Sequence, residues 1–351
     1  MSTLVFRVGS VLLGLCLIVT MLVVVPSAAA SVAFTTFVSS TDLNNLLNNT
    51  ATIGFAYAGD EFIGSVYFGP NNNQLYSSNL NGNGLALFGQ PITGASGEIY
   101  VTSSLGLGNF PSRDVYAADN NSIMHFTHDG SSQNIFTTLP GCACTVRGML
   151  FDDVGSFHNN MLVTTTTGQI FSVKSTGAAT QIANLGQDSE GMAIATSAFG
   201  PYAGFLLVGS EGTGQIHAIN PVTGAVTLLS FNIPGAEMLS SVPLNLGHGG
   251  PLEGFYAANY AVDIIHADAS QFSGLQGDLV VTGESDHQMS DIHWNGSSFV
   301  VTDIGMFPDQ PEDGIFVTES IINPTPEPST LLMFGTALVG VAGRMIRKKL
   351  S

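Results

Sequence analysis

The sequence predicts an all-β chain folded as a β-propeller, and three observations carry that expectation. A strand–turn–strand unit recurs from Asn73, Asn121, Gly168, Gly214 and Val262, at spacings of 46 to 48 residues. Further strand-like runs precede the unit, so one repeat holds four short strands, the pattern of a propeller blade. The stretch 53–322 has room for about six such repeats, with five or seven also compatible.

The first four units read "NQLYSSNLNGNGLALFG", "NSIMHFTHDGSSQNIFTTL", "GQIFSVKSTGAATQIANL" and "GQIHAINPVTGAVTLLSF". In each, two strand-like runs flank a turn of Gly, Asn, Asp or Pro, which makes a β-hairpin. The unit from Val262, "VDIIHADASQFSGLQGDLVV", is a weaker fifth copy. Before the hairpins come "DVYAAD", "MLVTTT", "FLLVGS" and "FYAANY", and before these "RGMLFDDVGSF" and "EGMAIATSAFG". No full hairpin follows "DIHWNGSSFVVTDIG". An N-terminal strand such as Phe62 to Phe68 is therefore expected to complete the last blade and leave no free sheet edge. The stretch "SEGMAIATSAFGPYAGFLLVGSEGTGQIHAINPVTGAVTLL" resembles blades of the NHL and regucalcin-type six-bladed propellers. That resemblance covers about two and a half blades well and implies the fold rather than an activity.

The flanks read differently. Residues 1–30 carry Arg7, a long apolar run and Ala28-Ala29-Ala30, which together predict a signal helix cut by signal peptidase between Ala30 and Ser31. The 18 residues from Val8 to Val25 are also compatible with an uncleaved anchor. Residues 31–52 are a lead-in segment, and residues 323–351 a linker and tail. In that tail Pro326-Glu327-Pro328-Ser329-Thr330 precede an apolar helix at 331–343 and a basic end at 344–349. Thirteen apolar or small residues make a helix of about 20 Å, short for a permanent span. The basic end should stay cytoplasmic, which puts the propeller outside.

This order of parts resembles the PEP-CTERM sorting signal of Gram-negative bacteria. The resemblance implies that an exosortase recognises Pro326, Glu327 and Pro328 after a transient stay in the inner membrane. It further implies a destination at the cell surface or in the extracellular matrix, among exopolysaccharide or surface proteins.

Composition narrows the partners. Between residues 31 and 325 only Arg113, Arg147 and Lys174 are basic, against 25 acidic residues. Such a surface repels phosphate backbones, so no nucleic-acid partner is expected.

Candidate chemistry is sparse. In "GESDHQMSDIHW" an extended strand puts His287, Asp291 and His293 on one face, a candidate metal set opposite a buried Ile292/Trp294 face. Glu190-Gly191 occupies the place of a metal-ligating Glu in regucalcin-like lactonases, and Arg147-Gly148 and Ala236-Glu237 stand at the same place in sister blades. The acidic turns 119–122, 151–157 and 307–314 have oxygen-rich composition suited to calcium, though none has the twelve-residue calcium-loop spacing. No other cofactor is expected. His125 and His266 share one hairpin position and read as ordinary strand residues, while His158 and His248 fall in loops. Cys142 and Cys144 either pair with each other or stay thiols.

The leading expectation is a non-catalytic module that binds glycan or protein. The alternative is a metal-dependent propeller enzyme of lactonase or lyase type. Three or more convergent carboxylate, Asn or His groups at the ring axis would favour the alternative.

Overall fold

A computed structural model describes residues 31–322. The signal-peptide residues Ala28 and Ala30, the motif Pro326, Glu327 and Pro328, and the apolar stretch 331–343 lie outside the described residues. Among the described residues no helix is long and apolar enough to cross a membrane.

Six antiparallel sheets of four strands each form the ring. Blades one to four are built from consecutive strands, starting at Thr52–Tyr57, Val101–Ser103, Val146–Phe151 and Met192–Ile194. These first strands are the innermost, and each following strand lies further from the axis. Apolar side chains fill the seams between neighbouring blades, with Phe55, Tyr57, Phe62, Tyr116, Phe126 and Phe171 among the largest fully buried ones. Burial on both faces explains the long apolar runs in the inner strands.

Blades five and six interleave. Blade five opens with Ala236–Ser241 but resumes only at Leu279–Gly283, Gln288–Trp294 and Phe299–Met306. In between, the hairpin Gly254–Asn259/Asp263–Asp268 crosses to blade six. There it pairs inward with the last strand, Pro311–Val317, and outward with Thr35–Val38. The unit from Val262 is therefore no hairpin copy, because its two strands belong to different sheets. A strand–turn–strand pattern reports where strands are, but carries no information on which sheet receives them.

Ring closure also differs from expectation. The strand Glu61–Val66 is the second strand of blade one, and the N-terminal closing strand is Thr35–Val38. Four residues, only one of them buried, leave almost no periodic signal in the sequence. The closing strand is held through its neighbour, the helix Ser40–Leu47. Ser39 caps the helix by accepting from the Asp42 amide, and Asn48 ends it in the left-handed conformation. Leu43 and Leu47 are buried with Val38, Phe62, Tyr256 and Val317 in the seam between blades six and one.

Candidate functional site

Every innermost strand runs the same way, so the residues that begin each strand meet at one end of the axis. At that end blades two to six bring Glu98, Arg147, Glu190, Glu237 and Glu312. The local sequence makes the approach possible. Gly148 follows Arg147, and a Cβ there would lie 2.8 Å from the Glu190 carbonyl oxygen; one at Gly191 would strike the carbonyl oxygen of Glu237. Glycine at these places lets neighbouring inner strands close up, which draws the charged side chains together.

Glu190, Glu237 and Glu312 are all buried, and their carboxylate oxygens lie within 4.8 Å of one another. Together with Arg147 they line a cavity of about 130 Å³. Arg147 spans the cluster: Nη1 contacts Glu98 Oε2, Nη2 lies 2.6 Å from Glu190 Oε2 and 3.7 Å from Glu211 Oε2, and Nε lies 3.4 Å from Asp188. Gln310 Nε2 donates to Glu312 Oε1 at 2.9 Å and to Glu284 Oε1 at 2.6 Å. The Oε2 atoms of Glu190 and Glu237 remain buried without a hydrogen-bond partner. For Glu190 the Arg147 contact is one of charge, without hydrogen-bond alignment.

One guanidinium cannot neutralise this many acids. Burial pushes the carboxyls of Glu190 and Glu237 well above the usual range, and the charge of Glu237 pushes Glu190 further in the same direction. Burial, followed by the charges of Glu237 and Glu98, pushes Glu312 up to about 10. At the rim a hydrogen bond with Glu211, then burial, holds Glu284 at about 7. For Arg147, burial opposes the charge, but Glu98, Asp188 and Glu237 outweigh it and raise its pKa.

The other candidate residues do not converge on this site. His287 sits at the turn before Gln288–Trp294 with φ 57°. Asp291 and Met289 are buried as well as Ile292, because both faces of this third strand pack against neighbouring blades. His293 Nδ1 pairs with Asp278 at 2.8 Å. Thus His287, Asp291 and His293 form no common ligand set. His125 stacks on Tyr116 at 5.1 Å and His266 packs tilted against Tyr256 at 4.4 Å, as strand residues do. Asp152 of the turn 151–157 already accepts from the amides of Gly155, Phe157 and Asn159, so its oxygens are engaged. Cys142 and Cys144 are joined by a disulfide in the loop leading to Arg147.

Sequence reasoning reached Glu190, and placed Arg147 and Glu237 at equivalent positions without joining them. It missed Glu98, and it read Glu312 only as part of the acidic turn 307–314. The recurring charged residue was legible in three repeats; that Glu98 and Glu312 continue it in the neighbouring blades was not.

Fold and site together define a six-bladed propeller with an acidic axial mouth, and comparison with known proteins agrees with the fold. Residues 324–348 match the PEP-CTERM protein-sorting motif. That motif implies export, processing by an exosortase and a surface or extracellular destination. No curated protein sequence matches the chain. Among solved structures, a protein assigned to the gluconolactonases is similar with a TM-score of 0.51 at 11% identity, over 82% of this chain and 85% of that one. A chain of the nidogen/laminin complex gives 0.49 at 13% identity, over 76% and 84%.

Proposed function

We propose that this exported propeller holds one hard divalent cation on Glu190, Glu237 and Glu312, and uses it at the cell surface or in the extracellular matrix to bind a neutral, hydroxyl-rich ligand such as a glycan. The observation that carries the reading is the meeting of three buried carboxylates whose Oε2 atoms at Glu190 and Glu237 have no hydrogen-bond partner. A cation placed among them replaces protons held there against the ordinary carboxylate preference. The donors are all oxygen, which suits calcium, magnesium or manganese and disfavours metals that prefer thiolate or imidazole. The rim acids Glu98, Asp188, Glu211 and Glu284 repel anions, which favours a neutral ligand.

Calorimetry on protein freed of metal with EDTA tests the site. One calcium or manganese ion per chain is expected to bind, more tightly at pH 8 than at pH 5, and Glu237→Gln should weaken it at least tenfold. Equal affinity in the variant would sink the proposal.

A second reading is favoured by Glu284, whose carboxyl at about 7 stands beside the cluster and suits general acid–base work near neutral pH. On this reading the propeller is a metal-dependent hydrolase of lactone type. It requires cation-dependent turnover of a lactone panel that is lost in Glu190→Gln and Glu284→Gln. Glycan binding that needs the cation, with no turnover, would instead support the binding module.

A further inference from the structure

At the opposite end of the axis, where the innermost strands finish, the channel widens into a chamber of about 390 Å³. Leu105, Leu150, Met192, Leu239, Leu244 and Ile321 are among the side chains that line it, and Asp153 is the one charged residue of its wall. Three of its hydroxyls are already engaged. Ser103 Oγ donates to the Tyr57 carbonyl, Thr196 Oγ1 to that of Gly277 at 2.6 Å, and Ser241 Oγ to that of Ile194 at 2.8 Å. These polar groups therefore offer water or a sugar few free donors, while apolar surface stays unburied around them. A cavity holds ordered water well only when it supplies several polar partners. The volume lies within the range of small-molecule sites, about 300–1,000 Å³.

The wall is preformed. The helical turn Glu319–Ile322 contributes Ile321, whose carbonyl accepts from Arg113 Nη2, and the Glu319 amide donates to Glu253 Oε1 at 2.8 Å. At the rim Val154 and Leu244 are about half exposed, so the chamber opens to solvent through apolar side chains.

We infer that this chamber is a binding site for a neutral, hydrocarbon-rich ligand with a single alkyl chain. The inference is separate from the cation at the other mouth. Asp153 at the wall disfavours anionic head groups, and the engaged hydroxyls of Ser103, Thr196 and Ser241 leave fewer groups for a sugar to bind.

The experiment uses the exported protein isolated without detergent and kept in EDTA, so that it reads independently of the cation site. Titration with the neutral probe N-phenyl-1-naphthylamine should give a saturable, one-site rise in fluorescence. Ser240→Phe fills the chamber from its wall and Leu244→Glu charges its rim; each should weaken the probe at least tenfold. Because Leu244 is half exposed, that variant should keep the wild-type melting temperature and calcium binding even if Ser240→Phe fails to fold. Decanol should displace the probe, and glucose and decanoate should do so at least tenfold less well. A non-saturable signal, probe affinity unchanged by Leu244→Glu, or displacement by glucose as effective as by decanol would overturn the inference.

Discussion

At the scale of single residues, the glutamates of the acidic mouth set their own pH behaviour. An unfolded carboxyl titrates near 4, whereas Glu312 is pushed up to about 10 and Glu284 to about 7 in the fold. The folded state therefore favours their protonated forms. Their contribution to stability is fully present below about pH 4 and is lost as pH rises through 7 towards 10. In EDTA the melting temperature should accordingly fall between pH 5 and pH 9. Glu237→Gln removes one buried carboxylate and should raise stability at pH 8 by about 1–3 kcal/mol. The same variant should lose the stabilisation that calcium gives the wild type. Thermal melts with and without calcium check both effects, and a lower melting temperature for the variant in EDTA would contradict the buried-charge account.

At the scale of strands, the mouth depends on glycines as much as on acids. Gly191 lies against the Glu237 carbonyl, so Gly191→Val must push the inner strands of blades four and five apart. The expected effect is a loss of about 1–3 kcal/mol, as for an overpacked core, together with weaker cation binding. Gly212 has nothing near its missing Cβ, and Gly212→Ala should leave cation binding at the wild-type level. Chemical denaturation and calorimetry on the two variants distinguish a steric requirement from general sensitivity to substitution.

Elements also show where the sequence was readable. Hairpins at 168–184 and 214–232 were plain, because alternating apolar residues flank glycine turns and the strands pair with their nearest neighbours in sequence. The hairpin 254–268 was not, since its pairing partners lie at 311–317 and 35–38. Likewise, Glu98 and Glu312 are more than two hundred positions apart, and only the rotation of the ring makes them neighbours. A site assembled by symmetry leaves its trace as a recurring register, which a search for compact motifs passes over.

At the scale of the whole molecule, the tail supplies the address. The match at 324–348 puts the processing motif a few residues after Ile322 in the sequence. Replacing Glu327 with Ala should leave the precursor uncut in the cell that makes it, so a blot would show one band of precursor size. Processing that continues unchanged would show that this triplet is not what the enzyme reads.

The last strand of the ring gives this attachment a mechanical character. The tail continues from Pro311–Val317, an innermost strand paired along Gly254–Asn259, rather than from a peripheral edge. Tension applied through the tail runs along that strand, so the ladder is loaded in shear and its hydrogen bonds share the force together. A pull on the N-terminal strand Thr35–Val38 would instead act on a four-residue outer edge. A load on the tail would therefore hold the propeller by its axle and not by its rim.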